Sequence, residues 1–197
     1  KEVCKIFNTV GVVIPPSYEE SYLVAKLEDG SIIRGEDKID ELNKIEETNA
    51  RVLDIWLEPE VEACEEAKRY IEDADIIIFS PGDVYSSLIA TLLPKGIKNA
   101  IASSSAKIFY ICNLVARNEF NATRASELVK IIERYAGRGI DLIIADSSKI
   151  PLQRRIEIDE DNLRCKIIKH DVASEVLHWR HDPLKLKNAF KKVFPSF

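Results

Sequence analysis

Four consecutive apolar residues, Ile76-Ile77-Ile78-Phe79, stand between Asp75 and the turn-forming Ser80-Pro81-Gly82-Asp83. So short a run of mostly β-branched side chains, closed by a turn, reads as a parallel strand covered on both faces. After it, Val84, Leu88, Ile89 and Leu92 recur at helical spacing. The chain is therefore expected to pass from a buried strand through a tight turn into a helix, with Ser80 to Ser87 at the helix N-terminus and Asp83 as its N-cap. Such an end presents backbone N–H donors and a positive dipole, a common phosphate site. Gly82 lets the backbone approach a ligand with no Cβ in the way, and Ser86 and Ser87 add hydroxyls. A capped βα turn with no ligand is the competing reading. No Walker lysine follows, so an ordinary ATP-binding P-loop is not expected.

Around this unit, strand and helix patterns alternate. Strands are expected at Val52 to Leu57, Asp75 to Phe79, Lys107 to Cys112 and Asp141 to Ala145. Helices are expected at Glu60 to Asp73 (inner face Val61, Cys64, Ala67, Ile71), at Ile97 to Ser103, and from a Thr123 cap to Ala136. Gly137 and Gly139 close the last of these. Short edge strands are expected near Ile156 to Ile158 and Lys166 to Lys169. Asp182 and Pro183 open a final helix with an apolar stripe of Leu186, Ala189, Phe190, Val193 and Phe194. Before the alternation, Tyr22 to Glu28 and Ser31 to Arg34 flank Asp29-Gly30, a hairpin signal. The charged stretch Glu36 to Asn49 reads as a surface segment. The expected fold is α/β: a doubly wound, mainly parallel sheet with an inserted β-hairpin near the N-terminus, forming one domain over residues 1–197.

The chain's 197 residues suffice for one domain with a real core. The 33 acidic against 28 basic residues, net charge −5, argue against a broad nucleic-acid or acidic-membrane surface. No apolar run approaches the roughly 20 residues of a membrane span, and no signal peptide is visible, so a cytoplasmic protein is expected. Cys4, Cys64, Cys112 and Cys165 lack C-x-x-C spacing and read as free thiols. The Asn121-Ala122-Thr123 sequon carries no meaning in a cytoplasmic chain.

In an open α/β sheet, ligands bind beyond the carboxyl ends of the strands. Ser80 to Ser87 follow one such end, Asn113 a second and Asp146-Ser147-Ser148 a third. If the first two strands are neighbours, Asn113 reaches whatever sits on Gly82, and its amide offers both donor and acceptor. The alternative is a strand cap that ties down its own loop. Tyr85 stacks on a base or sugar, or packs at the helix start; both readings stay open. Asp146-Ser147-Ser148 reads as an ordinary turn. His170, His178 and His181 form no metal-ligand pattern, and Trp179 and Arg180 suggest a loop packed on the sheet.

Five ordered segments carry a resemblance. The turn Pro81-Gly82-Asp83-Val84-Tyr85-Ser86-Ser87, the Leu23 to Glu36 strand with its Asp-Gly turn, Leu57-Glu58-Pro59, Tyr110-Ile111-Cys112-Asn113-Leu114 and His181-Asp182-Pro183 all take part. Together they resemble the family that joins 2-phospho-L-lactate transferase (CofD-like) with the gluconeogenesis factor, and they are more similar to the latter branch. The resemblance implies that Ser80, Gly82, Asp83, Val84, Tyr85, Ser86, Ser87 and Asn113 hold a nucleotide diphosphate. It names no catalytic residue and leaves any metal ligand unknown. The family's Gly-rich G-G-G-T-G turn does not precede Lys1, and the chain contains no Met, which reads as a fragment. Ser80 replaces the usual Gly, and the loop Val115 to Thr123 lacks the usual glycines.

Two functions follow from the resemblance. One is a cytoplasmic regulator that binds a UDP-sugar without turnover and controls carbon metabolism and cell-wall precursor supply. The other is a Mg2+-dependent transferase that moves a phospholactyl group from a guanosine diphosphate donor. The turn favours the first, because the transferases carry G-P-S-N-P there. Partners are a nucleotide diphosphate ligand and, as an open expectation, a second copy in a homodimer.

Overall fold

The computed structural model describes residues 4, 6, 9–41, 51–116 and 122–194. Strands β1 (Tyr22–Leu27) and β2 (Ile32–Arg34) form the expected antiparallel hairpin. Gly30 takes φ 85°, where a Cβ would be strained, and its N–H donates to Leu27 O at 3.0 Å. The Asp29 carboxylate accepts from the Ser31 N–H at 2.8 Å, which locks the loop. Strand β3 (Val52–Glu58) pairs antiparallel with β1, giving a three-stranded sheet in the order β2-β1-β3.

The surface segment expected at Glu36 to Asn49 begins instead as helix α1 (Glu36–Glu41). Its Ile39 is fully buried, so one apolar anchor is enough to fold a charged turn onto the hairpin sheet. Residues 42–49 lie outside the described residues, as do 117–121 of the Val115 to Thr123 loop and Asn121 of the sequon.

The second sheet is parallel, with strands β4 (Ile76–Phe79), β5 (Lys107–Ile111), β6 (Leu142–Asp146) and β7 (Lys166–His170) in spatial order β4-β5-β6-β7. Side chains alternate across it with period two. Ile108, Tyr110, Ile143 and Ala145 face the main core with Leu128 and Ile132 of helix α4 (Ala125–Ala136). Phe109, Leu142 and Ile144 face a second cluster with Ala189 and Phe190 of helix α5 (Pro183–Val193). Helices on both faces make the sheet doubly wound, as expected. Helices α2 (Glu65–Glu72) and α3 (Ile97–Ser103) complete the main-core side. No helix among the described residues is long and apolar enough to cross a membrane.

Four local expectations are corrected. β4 is an edge strand and Ile78 is 45% exposed, so it is not covered on both faces. The helix expected from Glu60 starts at Glu65. Val61 to Ala63 are extended because Ala63 N–H donates to Lys95 O and Lys95 N–H to Val61 O, both at 2.9 Å. Arg124, not Thr123, is the N-cap of α4, and Glu127 accepts from both backbone N–H groups. Ile156 to Ile158 form no strand, only a bridge between Glu157 and Arg124. The Asp182 cap holds: its carboxylate accepts from Leu184 and Lys185 N–H.

The four cysteines are free thiols. Burial pushes the Cys112 thiol up to about 12, which makes it inert as a nucleophile near neutral pH.

Candidate functional site

The carboxyl ends of β4 and β5 lie side by side, because the two strands pair in parallel with Phe79 opposite Tyr110. The turns that follow them therefore meet. Asn113 Nδ2 donates to Gly82 O at 2.8 Å, and its Oδ1 accepts from Tyr110 Oη at 2.8 Å. The expected proximity of Asn113 and Gly82 is present, and the amide ties the two turns together.

Beyond β4 the backbone forms a π-type turn over Val84–Leu88 and then a 3-10 turn over Ile89–Leu92, rather than the regular helix expected. The cause is local: the Ser87 and Leu88 N–H groups both donate to Asp83 O at 3.0 Å. Asp83 takes the N-cap position with extended backbone, but its side chain makes no cap hydrogen bond. Five residues of π-turn supply a much smaller aligned dipole than a full helix, so any phosphate held here would depend on individual donors. A Cβ on Gly82 would meet Ser87 Cβ at 3.5 Å, an ordinary contact, so the apo fold itself does not demand glycine there.

A cleft of about 480 Å³ opens over this junction, lined by Gly82, Asp83, Ser87, Asn113, Arg180 and His181, with Trp179 at its margin. The expected site residues thus divide. Gly82, Asp83, Ser87 and Asn113 share the cleft. Ser80 lines a separate apolar groove beside Phe79 and Leu88. Val84 and Tyr85 are buried in the core, where Tyr85 Oη donates to Val52 O at 3.3 Å. That contact fits the packing reading of Tyr85. Ser86 is buried and faces another recess.

The loop before α5 adds what residue-by-residue reading assigned to packing. Trp179 is 59% exposed and, with Arg180 and His181, borders the cleft rather than packing into the sheet. The His-Asp-Pro match was the available signal, and its residues split between cleft and cap. The His181 ring contacts Cys112 O through Nε2 at 3.1 Å. Donation from a neutral ring assigns the proton to Nε2 and leaves Nδ1 an acceptor. Burial holds the His181 pKa below the usual histidine value, against the pull of Cys112 O and Asp146. Among the described residues that line the cleft, Arg180 is the one cation and Asp83 the one carboxylate.

Asp146 at the end of β6 does more than the ordinary turn expected there. Its carboxylate accepts from Ser148 N–H at 3.2 Å and Oγ at 2.7 Å, from Val172 N–H at 3.1 Å and Ala173 N–H at 3.2 Å, and pairs with Arg155. Burial raises its pKa, but these donors outweigh burial and hold the carboxyl below the usual range. This hub fixes the base of the loop that carries His181, since Asp182 N–H donates to Val172 O at 2.8 Å.

No group of three or more His, Cys, Asp or Glu among the described residues could hold a metal ion.

The family described as 2-phospho-L-lactate transferase CofD matches residues 1–182. A putative gluconeogenesis factor of Aquifex aeolicus is 36% identical over 100% of this chain and 64% of its own length. One from Thermotoga maritima is 31% identical over 96% of this chain and 64% of its own. A crystal structure of a UPF0052 family member from Bacillus halodurans superposes with TM-score 0.80 at 28% identity, covering 95% of this chain and 64% of that one. The chain therefore spans less than two thirds of the length of these relatives. With the parallel sheet, the paired turns and these relatives in agreement, the chain belongs to the CofD family, in company with the gluconeogenesis factors.

Proposed function

We propose that the chain binds a nucleotide diphosphate-sugar, a UDP-sugar, in the cleft over Gly82 and Asn113, and does so without turning it over. One observation carries the reading: the turns after β4 and β5 and the loop before α5 bring Gly82, Ser87, Asn113, Trp179, Arg180 and His181 to a single opening. Three of them match parts of such a ligand. Trp179 offers a face for a base, Arg180 a planar charge for the diphosphate, and His181 Nδ1 an acceptor for a hydroxyl or ring N–H. In this reading the protein is a cytoplasmic regulator of carbon metabolism and cell-wall precursor supply, and its relatives' name, gluconeogenesis factor, is in line with the carbon-metabolism part.

The description of the matched family supports a second reading, transfer of a phospholactyl group, and the donor proposed for it is a guanosine diphosphate. There a Mg2+ ion bound to the diphosphate would neutralise charge developing on the phosphates. This chain's own residues would bind and orient the donor.

Calorimetric titration with UDP-N-acetylglucosamine, beside GDP with magnesium, separates the two. Preferential binding of the UDP-sugar, with the sugar nucleotide recovered intact, is the expected result. Preference for GDP with magnesium overturns it in favour of the transferase. A Cβ at position 82 meets Ser87 only in ordinary contact, and Gly82→Val should abolish binding by blocking the backbone face of the cleft, with retention of the fold checked by circular dichroism. Unchanged affinity would remove the turn from the site.

A further inference from the structure

Two walls of the cleft are held from one point behind it. Asp146 ends β6, an inner strand paired on both sides by β5 and β7, so its carboxylate sits on a rigid element. Its side chain is 6% exposed, and it is not among the residues that line the cleft. The two carboxylate oxygens have different partners. Oδ1 accepts the backbone N–H groups of Ser148, Val172 and Ala173, whereas Oδ2 accepts from Ser148 Oγ and the Arg155 guanidinium.

The partners of Oδ1 lead to one wall. Ala173 bridges antiparallel to His181, Ser174 N–H donates to Arg180 O at 2.8 Å, and Asp182 N–H donates to Val172 O at 2.8 Å. Lys185 Nζ donates to Ala173 O at 3.0 Å and braces the same stretch from α5. Arg180 and His181 are thereby pinned by backbone pairing to the residues that Oδ1 holds. The partner of Oδ2 leads to the other wall. Arg155 also donates to Ile150 O, and its backbone bridges Val115. Around that bridge Ala116 N–H donates to Arg154 O at 2.8 Å and Ile156 N–H to Leu114 O at 3.1 Å. Leu114 and Val115 line the cleft directly after Asn113. Arg154 takes φ 53°, a left-handed conformation costly for a residue with a Cβ. Such strain persists where the surroundings demand it, here next to the side chain that reaches Asp146.

We propose that Asp146 is a positioning residue of the cleft: one oxygen fixes Arg180 and His181, the other fixes Leu114 and Val115 through Arg155, and together they set the gap a nucleotide diphosphate-sugar spans. The inference rests on the reading of the cleft as a nucleotide site. A binding group works only when its own position is locked by its neighbours. A carboxylate can lock two segments at once, because its two oxygens offer about four lone-pair sites.

The test is calorimetric titration of Asp146 and Arg155 variants with UDP-N-acetylglucosamine, well below each melting temperature, beside amide NMR spectra of the free proteins. Asp146→Ala frees both walls and should weaken binding by about tenfold, toward the upper end for residues that act on a site through others. Asp146→Asn keeps the Oδ1 acceptor and loses the Arg155 link, so a loss of about threefold is expected. Arg155→Gln should match it, and the double variant of these two should bind no worse than either, because both cut the same link. In the free proteins Arg155→Gln should shift the amides of Leu114 and Val115 but not those of Arg180 and His181. Asp146→Ala should shift all four. A carboxylate that served stability alone would lower the melting temperature of the variants and leave affinity unchanged, and that result overturns the proposal. So do equal losses in Asp146→Ala and Asp146→Asn, or additive losses in the double variant. Should Asp146→Ala not fold, the Asn and Gln variants and their double carry the test. If the wild-type chain binds no UDP-N-acetylglucosamine, the reading of the cleft fails and the proposal with it. If the wild type binds and the variants match it, the proposal alone fails.

Discussion

Asn113 shows how much can hang on one amide. Its Oδ1 is the acceptor for Tyr110 Oη, and the Tyr110 residue is fully buried. Truncation in Asn113→Ala removes that acceptor and the donation to Gly82 O together. A loss of about 1–3 kcal/mol in urea unfolding is expected, the cost of leaving a buried hydroxyl without its acceptor, although the backbone N–H of residue 113 still donates to it. His181 acts through pH instead. Its folded pKa lies below the unfolded value near 6.5, so the unfolded chain takes up the proton first as pH falls. The stability it contributes is fully present above that value and is lost on acidification below it. Denaturation midpoints should therefore fall between about pH 6.5 and 5, and His181→Gln should flatten that limb. The acid limb below about pH 4 should remain in the variant, because Asp146, Asp141 and Asp159 are all held below the usual carboxylate range.

At the scale of elements, burial was more legible than backbone geometry. The spacing of Val84, Leu88, Ile89 and Leu92 correctly marks an inward face, with Val84 and Ile89 almost wholly buried. It could not show that two N–H groups converge on Asp83 O and swell the first turn. In the same way the apolar pattern from Val61 continued into α2, while the extended pairing of Val61 to Ala63 with Lys95 depends on a residue more than 30 positions away. The final helix was fully legible because its signals are local. Asp182 caps it, Pro183 sits at its first position, and its stripe meets Phe109 and Leu142. Asp182→Ala should cost about 1 kcal/mol, measured by thermal or urea unfolding, as typical for a lost N-cap. The cleft was half legible. Gly82 and Asn113 follow predicted neighbouring strands, whereas Trp179 and Arg180 reach the cleft through a loop with no periodicity to place it.

At the scale of the whole molecule, two sheets share one core through Tyr85, Ile55 and Tyr135, the last donating from Oη to Asp54 at 2.8 Å. The parallel sheet ends at β4, which pairs only with β5 among the described residues. Exposed Val12, Tyr70 and Ile78 border the groove along that edge. An open apolar edge is a template for further strands. Concentration-dependent association through this edge is the expected result in sedimentation velocity, and Ile78→Lys should reduce it while the far-UV circular dichroism stays unchanged. The two neighbouring serines of the π-type turn have a wider consequence. With Ser86 and Ser87 facing different chambers across one peptide plane, any rotation of that plane alters both chambers at once. A ligand that displaced Ser87 in the cleft would thus pull on Ser86 in the recess, and linkage would make that response reciprocal.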